Sequence, residues 1–217
     1  MCFSPTASFV AGTALSGIGG VTIWKSPSRW EIPFASIPLL FGIQQLTEGV
    51  VWLSLGNPAV LSAASFAFML FSHVLWPTFI PLSVALMEPK RWRRRLLYCF
   101  VAVGAVVSAY FLYFLLIEDV KTGVLNKSIL YVSPSFAVTF VLSPYSVATC
   151  ASCLFSSYRY ANLFGILTFL SAVAAYEFYD KTFISVWCFF AALLSVVIYL
   201  HVARRSGTMK IAEAAES

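Results

Sequence analysis

Charge is what this sequence has least of. Only 11% of its 217 residues are Asp, Glu, Lys or Arg, against about 25% in soluble domains. That excludes a soluble globular domain and a charge-rich disordered chain. Histidine is scarcer still. With two in the chain, a three-histidine zinc site is impossible, and no HExxH motif is present. Cysteines stand at 2, 99, 150, 153 and 188, mostly inside apolar runs, so no disulfide framework is implied. The CxxC of Cys150 and Cys153 lies deep in such a run and reads as packing. No Lys or Arg precedes the first apolar segment, the reverse of a secretory signal. That segment is therefore expected to be a retained helix. The last apolar run lacks the central lysine a retinal Schiff base needs, which argues against a retinal protein.

Hydrophobic residues make up 60% of the chain, and mean hydropathy is +0.85. A membrane helix needs about 20 mostly apolar residues. Seven runs qualify, near 5–24, 33–55, 61–87, 96–117, 138–157, 161–178 and 183–203. The fold class expected is all-α: a polytopic bundle of seven transmembrane helices in one domain, residues 1–203. A short cytoplasmic tail, 204–217, follows.

The net charge of +5 fits orientation in a bilayer better than nucleic-acid binding. With the N-terminus outside, eleven of fourteen Lys and Arg fall on inner segments and three, Lys121, Lys127 and Lys181, on outer ones. This positive-inside bias supports N-out, C-in. Rings such as Trp24, Trp92 and Tyr158 near inner ends, and Trp52 and Tyr176 near outer ends, form the matching belts.

In the first span Ser8, Gly12, Ser16 and Gly20 recur every four residues. Such a small face lets helices approach closely in lipid. It also offers a surface to a membrane-protein partner. Between 118 and 143 the pattern fits either a strand-like or re-entrant flap or an early start of the fifth span.

Polar side chains at membrane depth are costly and so become functional candidates. The second span carries Gln44, Gln45 and Glu48, and the third carries His73 followed by Trp76 and Pro77. Gln44 and Glu48 share a helix face. Counting about 1.5 Å per residue from the loop joining the two spans puts the glutamines and His73 at similar depth. They are expected to form one cluster open to the outer face. It would bind a small ligand, ion or proton, with Trp52 and Trp76 as walls and Tyr145 as a further candidate. The bland alternative is a buried hydrogen bond that only fixes packing. Lys90, Arg91, Arg93, Arg94 and Arg95 set topology and are candidates for anionic lipid headgroups. No catalytic residue, metal ligand or cofactor is assigned.

Several stretches resemble a family. Met1-Cys-Phe-Ser-Pro-Thr-Ala-Ser-Phe9, Ile37 to Trp52, Val74-Leu-Trp-Pro77 and Ser185 to Ala192 are similar to a bacterial multi-pass membrane-protein family of unknown function with an MCFS/TASF-type N-terminus. Pro5 departs from the small residue usual there. The resemblance implies a bacterial inner-membrane location and a similar multi-span body, and it names no activity. Function is expected to be transport or sensing of a small molecule. The alternatives are a non-catalytic accessory subunit of a membrane complex and, behind it, an intramembrane lipid-modifying enzyme.

Overall fold

The computed structural model describes residues 4–125, 127–132 and 143–216. Helices dominate it. In chain order they are α1 (Pro5–Trp24), α2 (Ile32–Ala35), α3 (Ile37–Leu53), α4 (Pro58–Met69), α5 (Trp76–Met87) and α6 (Arg91–Ile117). After a hairpin come α7 (143–154), α8 (Arg159–Tyr179), α9 (Phe183–Leu194) and α10 (Val196–Glu216). A π-helical turn, Leu70–Leu75, joins α4 to α5, and a second, Val147–Ala151, lies within α7.

Six helical stretches among the described residues are long and apolar enough to cross a membrane. They are Pro5–Trp24, Ile32–Leu53, Pro58–Met87, Arg91–Ile117, Arg159–Tyr179 and Phe183–Gly207. Each overlaps an expected span. The remaining expected span, 138–157, falls partly outside the described residues; its 143–154 portion is helical.

α1 starts cleanly. Ser4 caps it, its Oγ accepting from the Ala7 N–H at 3.2 Å, and Pro5 takes the first helical position, where no N–H is needed. The small face of α1 meets α3 within the chain, and the two run antiparallel. A Cβ on Gly12 would meet the Gly42 carbonyl at 2.9 Å, one on Gly19 the Leu39 backbone at 2.3 Å, and one on Gly49 the Phe9 ring at 2.9 Å. The buried positions are Ser8, Gly12, Leu15, Gly19 and Thr22. Gly20, expected on this face, is exposed, and Gly19 takes its place. The reason is geometric. Steps of four residues advance about 400° and drift off the contact line, whereas alternating fours and threes stay on it.

The 118–143 region resolves in part. β1 (Lys121–Leu125) pairs antiparallel with β2 (Ser128–Val132), Lys121 opposite Val132, and Lys127 at the turn sits at φ 59°. Positions 133–142 lie outside the described residues. The hairpin is anchored on α4. Thr122 donates to Ser65 Oγ at 2.7 Å, and the Tyr131 ring stacks on Phe68 at 4.8 Å. Ile129 and Tyr131 belong to a buried apolar group with Val51, Phe68, Leu115 and Cys188.

Basic segments gather at the opposite end. Arg93 donates to the Ser156 carbonyl at 3.0 Å. Lys25 lies 5.6 Å over the Tyr199 ring, and Arg204 lies 5.8 Å over Tyr160. The two ends are therefore chemically distinct.

A close helix approach joins α5 and α6. Pro81 has no N–H to give the Pro77 carbonyl four residues back. Gly104 of α6 sits against that carbonyl: a Cβ there would lie 1.8 Å from the oxygen. Beside it Ser108 Oγ donates to the Val74 carbonyl at 2.6 Å and pairs with Thr78 Oγ1 at 2.8 Å. Backbone on both sides leaves nothing flexible to yield. Gly104→Ala is expected to destabilise the fold by about 2 kcal/mol or more despite alanine's better helix propensity. Gly17→Ala, with nothing within 4 Å of its added methyl, is expected to be neutral or slightly stabilising. Thermal unfolding of both variants in detergent checks the contrast.

Candidate functional site

The π-turn before α5 organises the middle of the bundle. Within it the Trp76 N–H reaches back five residues to the Phe71 carbonyl. Pro77 has no N–H for Ser72, the next carbonyl in that ladder. Tyr145 of α7 replaces it, its hydroxyl donating to the Ser72 carbonyl at 2.6 Å. The turn widens at His73, whose Nδ1 lies 2.7 Å from Ser72 Oγ. The imidazole stands edge-on to Phe111 at 4.6 Å.

These groups line a small, partly open cavity of about 30 Å³ with Phe183, Ile184, Trp187 and Cys188. That is the volume of roughly one water molecule. Cys188 of α9 is the shared wall between two polar groups. On its far side its thiol lies beside the Gln44 amide and the Glu48 carboxylate of α3. Glu48 is fully buried and accepts from Ser185 Oγ at 2.5 Å. Gln44, also fully buried, accepts from Trp76 Nε1 at 2.8 Å, and Trp76 stacks on Phe41 at 4.0 Å.

Gln44, Glu48, His73, Trp76 and Tyr145 are thus brought to one neighbourhood, with α9 between Glu48 and the His73 cavity. Gln45 is not. Gly42 and Gly49 face α1, and Gln45, three and four residues away, shares their face. Its two amide atoms are buried with no hydrogen-bond partner among the described residues. Trp52 sits half-buried in the apolar group under the hairpin, away from the cavity. Gln44, Gln45 and Glu48 are themselves fully buried among the described residues. Ile129 and Tyr131 of the hairpin share one apolar group with Cys188.

Sequence reasoning missed Ser185, Ser72 and Trp187. A serine or tryptophan inside an apolar run gives no signal of its own. It also passed over a second polar cluster at the basic end. Glu31, 3% exposed, accepts from Arg205 Nη2 at 2.7 Å, and its other oxygen lies 3.5 Å from His201 Nε2. His201 is buried among the rings of Phe34, Tyr158 and Tyr160. Glu88 is buried too. It accepts from the Ser157 N–H at 2.7 Å, Ser157 Oγ at 2.6 Å and the Lys90 N–H at 3.1 Å. Glu31 and Glu88 are carboxylates set among the basic segments, and that contrast was the available clue. Among the described residues, no three or more His, Cys, Asp or Glu side chains gather to hold a metal ion.

A family model described as a family of unknown function, DUF6629, matches residues 1–214. The chain belongs to the DUF6629 family. No curated protein and no solved structure matches it. The DUF6629 match spans every site residue named above.

Glu31 supplies a pH test. Burial raises its pKa, but the His201 hydrogen bond and the Arg205 charge outweigh burial and leave it below the usual carboxylate value. A carboxyl with a lowered folded pKa adds stability above its unfolded pKa and loses it as pH falls through the folded value. Melting temperature is expected to fall on acidification below the ordinary carboxylate range. Glu31→Gln should melt lower than the parent at neutral pH, and the two curves should converge in acid.

Proposed function

We propose that this chain is a multi-pass membrane protein of the bacterial inner membrane that responds to protons through its mid-depth polar chain. Six candidate spans support the membrane body. A seventh crossing is supported by chain direction. The hairpin lies at one end of the bundle, Ser156 and Ser157 lie at the basic end, and helical residues 143–154 run toward the latter. The positive-inside bias then favours placing the basic end in the cytoplasm.

One observation carries the proton reading. Glu48 and His73 flank Cys188 at full or nearly full burial, beside a cavity the size of one water. A cavity this small suits a proton or a water better than a larger ligand. A carboxyl group at membrane depth is costly to ionise, so its charge state is a natural switch. Ser185 and Gln44 hold Glu48 and Trp76 in place, while Tyr145 and Ser72 hold His73. The protein is read as a proton sensor or a proton-coupled transporter.

The accessory-subunit alternative loses its first contact surface, because Ser8 and Gly12 are packed on α3. A partner would use the lipid side of α1, where Val10 and Val21 are exposed.

Infrared spectroscopy of the reconstituted protein tests the proposal. A protonated-carboxyl band is expected that changes with pH and vanishes in Glu48→Gln. In Ser185→Ala the band should persist but move, since its hydrogen bond is gone. A band that does not change with pH, or spectra identical for parent and Glu48→Gln, would reject a titrating Glu48.

A further inference from the structure

The α1–α3 seam is built on missing side chains, yet it holds polar atoms with no partner. Gln45 is fully buried, and neither its Oε1 nor its Nε2 has a hydrogen-bond partner among the described residues. Exchanging the amide nitrogen and oxygen leaves both atoms unpaired all the same. On α1 the Ser16 Oγ is buried and unpaired too. A hydroxyl inside a helix commonly turns back to a carbonyl three or four residues earlier. Thr22 of the same helix does so, donating to the Ile18 carbonyl at 2.7 Å, and Ser16 does not.

The two unpaired groups stand at one level of the seam. A Cβ on Gly42 would lie 2.5 Å from Ser16 Oγ, so that hydroxyl rests on the Gly42 turn of α3. Gln45 follows three residues later, and helical side chains lean back over the turn N-terminal to their own Cα. The Gln45 amide therefore extends toward the turn that carries Ser16, and Gly42 puts no side chain between them. No direct hydrogen bond joins the two. Gln44 is the contrast: equally buried, its oxygen accepts from Trp76 Nε1 at 2.8 Å and its amide lies beside the Cys188 thiol.

Inside a bilayer an amide with neither donor nor acceptor is costly, and buried polar groups are satisfied by protein or by ordered water. Both groups here are neutral, and each can donate and accept. That matches water, which also gives and takes protons, better than an ion of either sign.

We infer that the α1–α3 seam binds an ordered water that bridges the Gln45 side-chain amide to the Ser16 hydroxyl. The site is separate from the His73 cavity, which neither residue lines, and it stands whether or not Glu48 titrates. Gln45 and Glu48 are three residues apart on α3, so the water sits about one turn from the proposed switch.

Gln44 and Gln45 are the only glutamines in the chain, so isotope-labelled nitrogen in the glutamine side-chain amides gives one signal for each. Solid-state NMR of the full chain in bilayers then reads the site directly, with Gln45→Met assigning the signals. Magnetisation from water should reach the Gln45 amide several-fold faster than the Gln44 amide. Ser16→Ala should slow transfer to Gln45 several-fold and leave Gln44 unchanged. Gln45→Met should melt no higher than the parent, since it removes the hydrogen bonds of the water along with the amide. Equal transfer to both amides overturns the site, and so does undiminished transfer to Gln45 in Ser16→Ala. A higher melting temperature for Gln45→Met would mean a dry, unpaired amide whose removal relieves a cost, and overturns it as well.

Discussion

Every backbone carbonyl inside a bilayer has to find a donor within the protein, and Pro77 and Pro81 each withhold one. The middle of this molecule is arranged around that shortage. The Ser72 carbonyl takes its hydrogen bond from Tyr145, which ties α7 to the π-turn. Gly104 brings α6 flush against the Pro77 carbonyl, and Ser108 reaches Val74. Two of these contacts, Tyr145 on Ser72 and Gly104 on Pro77, fall at carbonyls the prolines left open. His73 sits where the ladder widens, so its position is a product of the same shortage.

The α1–α3 seam works on a different principle. Among the described residues no side-chain hydrogen bond crosses it; absent side chains hold it together. Glycines at 12, 19, 42 and 49 let two backbones run within contact of each other. That seam turns Gln45 inward to α1 and, by the 100° step between neighbours, leaves Gln44 and Glu48 facing the rest of the bundle. A stripe of small residues therefore decides which of two adjacent glutamines joins the polar chain.

What could be read in advance followed cost. Glu48 and Gln44 stood out because a charged or amide group in an apolar run is expensive, and both lie at the heart of the polar chain. The small face of α1 was legible from spacing as far as Ser16, then failed at Gly20, because a repeat of four is not the period of a contact line. Gln45 looked equivalent to Gln44, and only the packing partner separates them. Ser185 and His201 were not legible. A serine among valines carries no cost, and the pairing of His201 with Glu31 joins residues far apart in the chain. The hairpin was an open alternative because five apolar residues fit a strand or the start of a helix equally well.

Chain separation has a consequence for biosynthesis. Glu31 is 174 residues from Arg205, and Glu48 is 137 residues from Ser185. At 5–20 residues per second, each carboxylate waits roughly 7 to 35 seconds for its partner to leave the ribosome. For that interval the second span sits in the insertion machinery with Glu48 lacking the serine that later holds it. The nascent protein is thus most vulnerable to quality-control proteases before its last helix arrives, and a chain truncated ahead of α9 would stay in that state.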